Sequence, residues 1–408
     1  MQTAKEELEF SVEIERKSVL IKQPLSVWAV FFAGVCTFMG MGLVNPVMPS
    51  IAEQLNATPS QVTLLYTSYN ALMATAMLIT GAIATRVGHK WTMLSGVLLI
   101  ATAALIAGLS NSVWTLTGLR GVWGLGNALF IATALAAIVS LSRLGTAKAI
   151  ILYETAVGLG ISIGPLLGGT LGAISWRAPF LGVALLMVIA FAILLTLMPS
   201  IGAQKGQKQR KGQAASLVDP FRALKHRSLF VLSLVAALYN IGFFTIMAYS
   251  PFVMNFSPQG LGLVFLGWGI LLAITSIFMA PKLEQRFGLL PSMLAMLFLF
   301  FVSLLVMGIW TSQPWVIAGS VIAAGAILGN NNTLMTTAAM DAAPVDRSVA
   351  SAAYSFLRFL GAAIAPFMAG KLAEIFNPHI PFLVGGGFVF LSLIYLWVSR
   401  KHLLTHPD

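Results

Sequence analysis

Charge is what this sequence lacks. Only 9% of its 408 residues are Asp, Glu, Lys or Arg, and 58% are hydrophobic, with a mean hydropathy of +0.89. A soluble domain carries about 25% charge, so the composition excludes an ordinary soluble fold and fits a chain that crosses the bilayer many times. The formal net charge of +11 does not point to nucleic acid, because the basic residues are spread between apolar runs. Cysteine is nearly absent: Cys36 stands alone, which excludes an intrachain disulfide. The five histidines, His89, His226, His379, His402 and His406, lie at loops or ends. That leaves no intramembrane metal site and no histidine-based catalysis. There is no Gly-x4-Gly-Lys-Ser/Thr loop to bind ATP. No cofactor is expected, and the chain does not read as an enzyme. Residues 1–26 carry Glu6, Glu7, Glu9, Glu13 and Glu15 in place of the basic start of a signal peptide, and read as a tail. Asn56-Ala-Thr58 is a formal glycosylation sequon, discounted because compact loops point to a bacterial protein.

What is present is a succession of apolar runs of about 20 residues, the length that spans the hydrocarbon core as helix. Twelve are legible: 27–49, 60–84, 91–109, 113–140, 147–173, 178–198, 228–254, 260–282, 289–310, 315–339, 346–373 and 380–400. The predicted fold is therefore all-α and polytopic. Lys and Arg divide unevenly between the two sets of connections, twenty against two, with Arg177 and Lys371 as the minority. The positive-inside rule then puts both termini and the 199–227 segment in the cytoplasm of a cell-membrane protein. The expected organisation is a tail over 1–26, a six-helix bundle over 27–198, a basic linker over 199–227, a second bundle over 228–400 and a tail over 401–408.

The two halves repeat. Arg86-Val87-Gly88 recurs as Arg286-Phe287-Gly288, 200 residues on. Gly160-x3-Gly164-Pro165-x2-Gly168-Gly169 lines up with Gly361-x3-Ala365-Pro366-x2-Ala369-Gly370, and Pro179-Phe180 with Pro381-Phe382. Two six-span halves in the same orientation form the parallel repeat of one large class of secondary transporter. Span five holds Gly158, Gly160, Gly164, Gly168, Gly169 and Gly172 together with Pro165. In water each such Gly costs a helix about 1 kcal/mol and the Pro about 3. In a bilayer, small residues let a neighbouring helix approach. The segment is expected to bend at Pro165 and to seal against the opposite half.

On these residues the chain resembles the major facilitator superfamily over residues 27–400, and within it the twelve-span drug:proton antiporters. The loop after span two, Gly81-Ala-Ile-Ala-Thr85-Arg86-Val-Gly88-His89-Lys90, is similar to the family's cytoplasmic gate motif. Leu119-Arg120-Gly-Val-Trp-Gly124-Leu-Gly126 resembles its arginine-and-glycine motif, and Gly160 to Gly169 its antiporter motif. Trp176-Arg177-Ala-Pro179-Phe180 resembles the link between spans five and six, and Gly42-Leu-Val-Asn45-Pro46-Val-Met-Pro49 the end of span one in exporters. One departure stands out: Thr85 takes the place of the family's Asp. Thr85 can bond a helix N-terminus but carries no charge. Either the gate is weaker, or the lock is Asp341 or Asp346.

Three charges lie well inside the spans: Arg120, Glu154 and Arg358. Each costs about 2.5–3.5 kcal/mol to insert, so each marks a site by default. Counting depths along antiparallel spans four and five, Arg120 and Glu154 are not expected to touch. Glu154 reads either as the proton carrier or as an interhelical hydrogen-bond partner. The resemblance implies a proton-coupling role for Arg120. Arg358 reads equally well as structural or functional. The resemblance also implies a cavity lined by spans one, four, seven and ten, to which Asn45, Asn127, Asn240, Asn330, Asn331 and Arg358 are assigned. With aromatic and Met neighbours, that lining suits large lipophilic molecules, cations among them. The partners implied are the lipid bilayer, a small-molecule substrate and protons, with the protein acting as a monomer. The expected activity is proton-coupled efflux by alternating access. Export of one metabolite, such as a siderophore or sugar, is the alternative, and a non-transporting sensor the third reading.

Overall fold

The computed structural model describes residues 23–143, 145–199, 219–342, 344–345 and 347–403. Twelve long helices follow in order. The first half contains α1 (Leu25–Gln54), α2 (Pro59–Val87), α3 (His89–Leu109), α4 (Val113–Leu141), α5 (Thr146–Gly172) and α6 (Ala178–Leu197). The second contains α7 (Arg227–Met254), α8 (Pro258–Phe287), α9 (Leu289–Ile309), α10 (Pro314–Asp341), α11 (Arg347–Ile375) and α12 (Ile380–Val398). Eleven of them are long and apolar enough to cross a membrane. The remaining one, α10, is less apolar because Asn330, Asn331 and Asn332 interrupt it. All spans fall where hydropathy puts them, with four adjustments. Helix α1 continues past 49 through a 3-10 turn at Asn45–Val47. A π-helical turn, Thr275–Met279, interrupts α8, which runs on to Phe287. Helix α11 extends to Ile375, so Lys371 and Glu374 belong to its last turns rather than to a loop. A short helix, Asp219–Ala223, lies in the segment read as linker.

The repeat seen in the sequence is also a repeat of backbone devices. Asn56 and Asn255 end α1 and α7 with positive φ, 48° and 51°. Thr58 and Ser257 then cap α2 and α8, accepting from the backbone N–H of Gln61 and Gly260, and Pro59 and Pro258 open the helices. Gly88 and Gly288, at φ 88° and 85°, make the tight turns into α3 and α9 that a side chain would strain. Arg177 donates to the carbonyls of Gly108 and Ser110 past the end of α3, and the ring of His379 meets the carbonyl of Gly308 at 2.7 Å near the end of α9. Those carbonyls have no partner within their own helices.

Packing follows the same duplication. In the first half α2 lies on α4, α1 on α5, and α3 on both α4 and α6. In the second α8 lies on α10, α7 on α11, and α9 on both α10 and α12. The halves meet through two crossed pairs, α2 with α11 and α5 with α8. Buried side chains gather into one cluster drawn mainly from the first half and another from the second. Large apolar side chains such as Leu185, Phe278 and Trp315 remain outside, as a lipid-facing surface requires.

Among the described residues, four hydrogen bonds join the halves, and they lie between mid-depth and the end bearing the α1–α2 and α11–α12 turns. Asn45 Nδ2 donates to Met247 Sδ at 3.6 Å, and the Ser60 N–H to Glu374 Oε1 at 2.9 Å. Asn70 Nδ2 donates to the Ala362 carbonyl at 3.4 Å, and the Phe367 N–H to Thr67 Oγ1 at 3.3 Å. Tyr66 and Phe244 meet edge to face across the same seam, 6.2 Å between centroids.

Candidate functional site

Glycine positions decide how closely α5 approaches its neighbours. A Cβ on Gly160 would lie 2.6 Å from the Val35 carbonyl, and one on Gly164 or Gly168 would run into the carbonyls of Met39 and Leu43. These three glycines therefore face α1, inside their own bundle. Gly169 faces the other way, onto the Pro258 carbonyl of α8, and Gly158 looks toward Ala273 of α8. Span five does pack on the opposite half through α8, but the motif is split between two helices, and only part of it faces that way. Pro165 does not break α5, which runs unbroken from Thr146 to Gly172. Its ring fills the space left by Gly42 of α1. The copy in α11 is divided in the same way, with Gly361 against Ala237 of α7 and Gly370 against Ser60 of α2.

Arg120 is fully buried in α4. Its guanidinium carbon lies 4.7 Å from the Tyr69 ring centre and 4.6 Å from that of Trp123, within cation–π range. One nitrogen, Nη1, reaches the Gly40 carbonyl of α1 at 3.4 Å, while Nε and Nη2 have no partner among the described residues. Tyr69 Oη accepts from Asn127 Nδ2 at 2.5 Å. Glycine again permits the arrangement: a Cβ on Gly124 would collide with the Tyr69 carbonyl, and one on Gly40 would lie 2.6 Å from the Trp123 ring. Tyr69 and Trp123 were not picked out from sequence. Trp123, at i+3 from Arg120 on one helix face, was the available signal.

Glu154 does not meet Arg120. It is exposed on α5, on a face between the strip that packs on α1 and the strip that packs on α8, and has no hydrogen-bond or ion-pair partner among the described residues. The π-helical turn of α8 begins two residues after Ala273, the residue opposite Gly158, which is one turn from Glu154. Such turns often mark functional positions.

The amides assigned to a cavity have different fates. Asn45 bridges the halves to Met247, and Asn127 serves Tyr69. Asn240 and Asn330 turn back to the carbonyls of Ala236 and Ala326 on their own helices, at 2.8 and 2.9 Å. Asn331 is buried with neither amide atom partnered among the described residues. Arg358 is half-buried, without a hydrogen bond or ion pair there, and its guanidinium carbon lies 5.6 Å from the Phe359 ring centre.

In the gate motif, Gly88 makes the turn and Lys90 Nζ donates to the Leu195 and Met198 carbonyls at 2.9 and 2.5 Å, tying the start of α3 to the end of α6. Arg86 is exposed in the last turn of α2, where a cation suits the helix dipole. Gly81 and Thr85 are helical, but the Thr85 side chain lies outside the described residues, as does Asp346.

The family model described as Major Facilitator Superfamily matches residues 30–257 and 232–407. The chain is 49% identical to the multidrug efflux protein YfmO of Bacillus subtilis (strain 168), over 96% of this chain and 98% of that protein. It is 24% identical to the quinolone resistance protein NorA of Staphylococcus aureus (strain MRSA252), over 92% and 97%. Among solved structures it is similar to the nucleoside transporter NupG, with a TM-score of 0.75 at 12% identity over 92% of this chain and 98% of that one. A bacterial homolog of the human lysosomal transporter Spinster, in an inward-facing unoccupied conformation, gives a TM-score of 0.73 at 17% identity over 94% and 98%.

Proposed function

Since the chain belongs to the major facilitator superfamily, we propose that it exports small lipophilic molecules or drugs from a bacterial cell in exchange for protons, working as a monomer in the cell membrane with both termini cytoplasmic. Residues 27–198 and 228–400 act as two bodies that rock about a central site. The bonds between the halves among the described residues gather on the side of the α1–α2 and α11–α12 turns, which is the side expected to part when the bodies rock. The single observation that carries the reading is Glu154: an unpaired carboxylate on the inner face of α5, between its two helix contacts. A carboxylate in apolar surroundings exchanges its proton when the surroundings change. Arg120, caged by Tyr69 and Trp123, holds positive charge in the same bundle and favours proton release as the bundles rock. The split antiporter motif, Gly160, Gly164, Pro165, Gly168 and Gly169, keeps α1, α5 and α8 in register so that the path stays sealed. Dye efflux from proteoliposomes under an imposed pH gradient tests this. Gradient-driven efflux should be lost in Glu154→Gln while counterflow exchange of substrate persists. Full gradient-driven efflux in the variant would remove the carrier assignment.

A further inference from the structure

Charge at mid-depth is unbalanced, and the imbalance lies in the second half. Helices α7 to α12 contain three acids, Glu284, Asp341 and Glu374, and each falls in the last turn of its helix. Arg358 therefore has no carboxylate at its own depth in that half. Its direction follows from the helix it rides on. The exposed residues Leu360, Ile364 and Phe367 of α11 lie about 180–240° around the axis from Arg358, at 100° per residue. Arg358 points away from lipid, into the space between helices. One turn earlier, the Tyr354 hydroxyl stands close to those of Tyr239 on α7 and Thr336 on α10, without hydrogen-bond geometry to either. Tyr239, Tyr354 and Asn331 are all at least 98% buried, and each carries polar atoms without a partner among the described residues. They come from three helices. Counted from the helix ends that share one side, Tyr354, Asn331, Arg358 and Tyr239 lie about 10–18 Å deep at 1.5 Å per residue. Buried polar atoms left unpaired are costly, because they have lost water and gained nothing in exchange. An unpaired guanidinium among them is a ready site for oxygen ligands, since its planar fork matches a carboxylate in two bonds.

We propose that Arg358, with Tyr239 and Tyr354, forms a subsite that receives the carboxylate of a lipophilic substrate. The inference rests on the reading of the chain as an exporter and narrows its substrates to amphiphilic organic anions, in place of the cations that the Met- and aromatic-rich lining suggests. With Glu154 the only acid at depth against Arg120 and Arg358, the centre of the molecule carries net positive charge whichever way Glu154 is ionised.

The test compares three probes on the purified protein: pyrenebutyrate, its methyl ester and pyrenebutyltrimethylammonium, with binding read by pyrene fluorescence. Wild type should bind the butyrate at least tenfold more tightly than either of the others. Arg358→Gln should lose that preference to within twofold, and a melting temperature close to that of wild type shows that the variant is folded. Arg358→Lys should keep part of it. Equal binding of butyrate and ester by wild type, tighter binding of the cation, absence of binding by every probe, or an unchanged preference in Arg358→Gln would each overturn the subsite. Gradient-driven efflux of a neutral dye, run in parallel, separates the two readings. Its survival without carboxylate preference sinks the subsite alone. Carboxylate preference without any efflux sinks the exporter and leaves the subsite standing.

Discussion

Adding one methyl group to α5 at Gly164 should be more damaging than its size suggests. The new Cβ would overlap the Met39 carbonyl of α1 and lie 3.1 Å from both the Met39 carbonyl carbon and its Cα. All three are backbone atoms in a helix, so no rotamer change relieves the clash. Either α1 and α5 separate, or the added methyl pushes α5 aside as a whole. Overpacking of this kind costs about 1–3 kcal/mol. Against it stands the gain from replacing a helical glycine, about 1 kcal/mol. The net expectation for Gly164→Ala is a loss of about 0–2 kcal/mol, with a melting temperature lowered by several degrees in detergent and a larger loss of transport. Gly118 in α4 is the control, because a Cβ there meets nothing within 4 Å. Gly118→Ala should therefore leave stability equal or higher. The second half supplies another comparison. Ala365, the counterpart of Gly164, is fully buried and already carries the methyl, so α11 and α7 accommodate at that level what α5 and α1 do not. Differential scanning fluorimetry of the three proteins, paired with dye efflux, reads both quantities. A Gly164→Ala protein as stable as Gly118→Ala would refute the claim that backbone contact sets the spacing.

Replacing Arg120 by Met should raise thermal stability, since a buried guanidinium with one long bond to Gly40 is poorly compensated; loss of efflux would accompany it, and a lowered melting temperature would make Arg120 a structural residue instead. Gly288→Ala forces a side chain into a backbone held at φ 85° and should cost about 1–2 kcal/mol, measurable as a fall in melting temperature that Gly319→Ala, with open space around it, does not produce. Glu374→Gln weakens the charge-assisted bond from the Ser60 N–H to a neutral one, a difference of about 1 kcal/mol or about fivefold in population. Spin-label distances between the α1–α2 turn and the end of α11 should broaden toward longer values, and an unchanged distribution would remove this contact from the closure of that side.

How much was legible from sequence divides by the range of the physics involved. Hydropathy locates every span, because burial in lipid acts on each segment separately. The duplication was legible because Arg86 and Arg286, or Pro179 and Pro381, keep their identity. It was hidden at Arg177 and His379, where different side chains serve the same carbonyls. Asn56 and Asn255, alike in residue and in backbone, were legible in principle but carry no hydropathy signal. Which glycine faces which helix was not legible, since Gly164 and Gly169 differ only in direction around α5. Nor was the cage around Arg120, because Tyr69 arrives from a different helix. The run of Asn at 330–332 marked a polar place in α10, but only the packing separates Asn330, whose Nδ2 bonds its own helix, from Asn331, neither of whose amide atoms has a partner among the described residues.

The seam between the halves also sets an energy scale for the working cycle. Among the described residues it contains four hydrogen bonds, from Asn45, Ser60, Asn70 and Phe367. At about 0.5–1.5 kcal/mol net for each, breaking these bonds alone costs about 2–6 kcal/mol before any bond forms on the opposite side. Moving one elementary charge through 100 mV of membrane potential supplies about 2.3 kcal/mol. The hydrogen-bonded part of the seam is therefore of the size that one or a few elementary charges crossing the membrane supply. A seam stitched with many more such bonds would stall at ordinary membrane voltages, and one stitched with fewer would part without any driving charge.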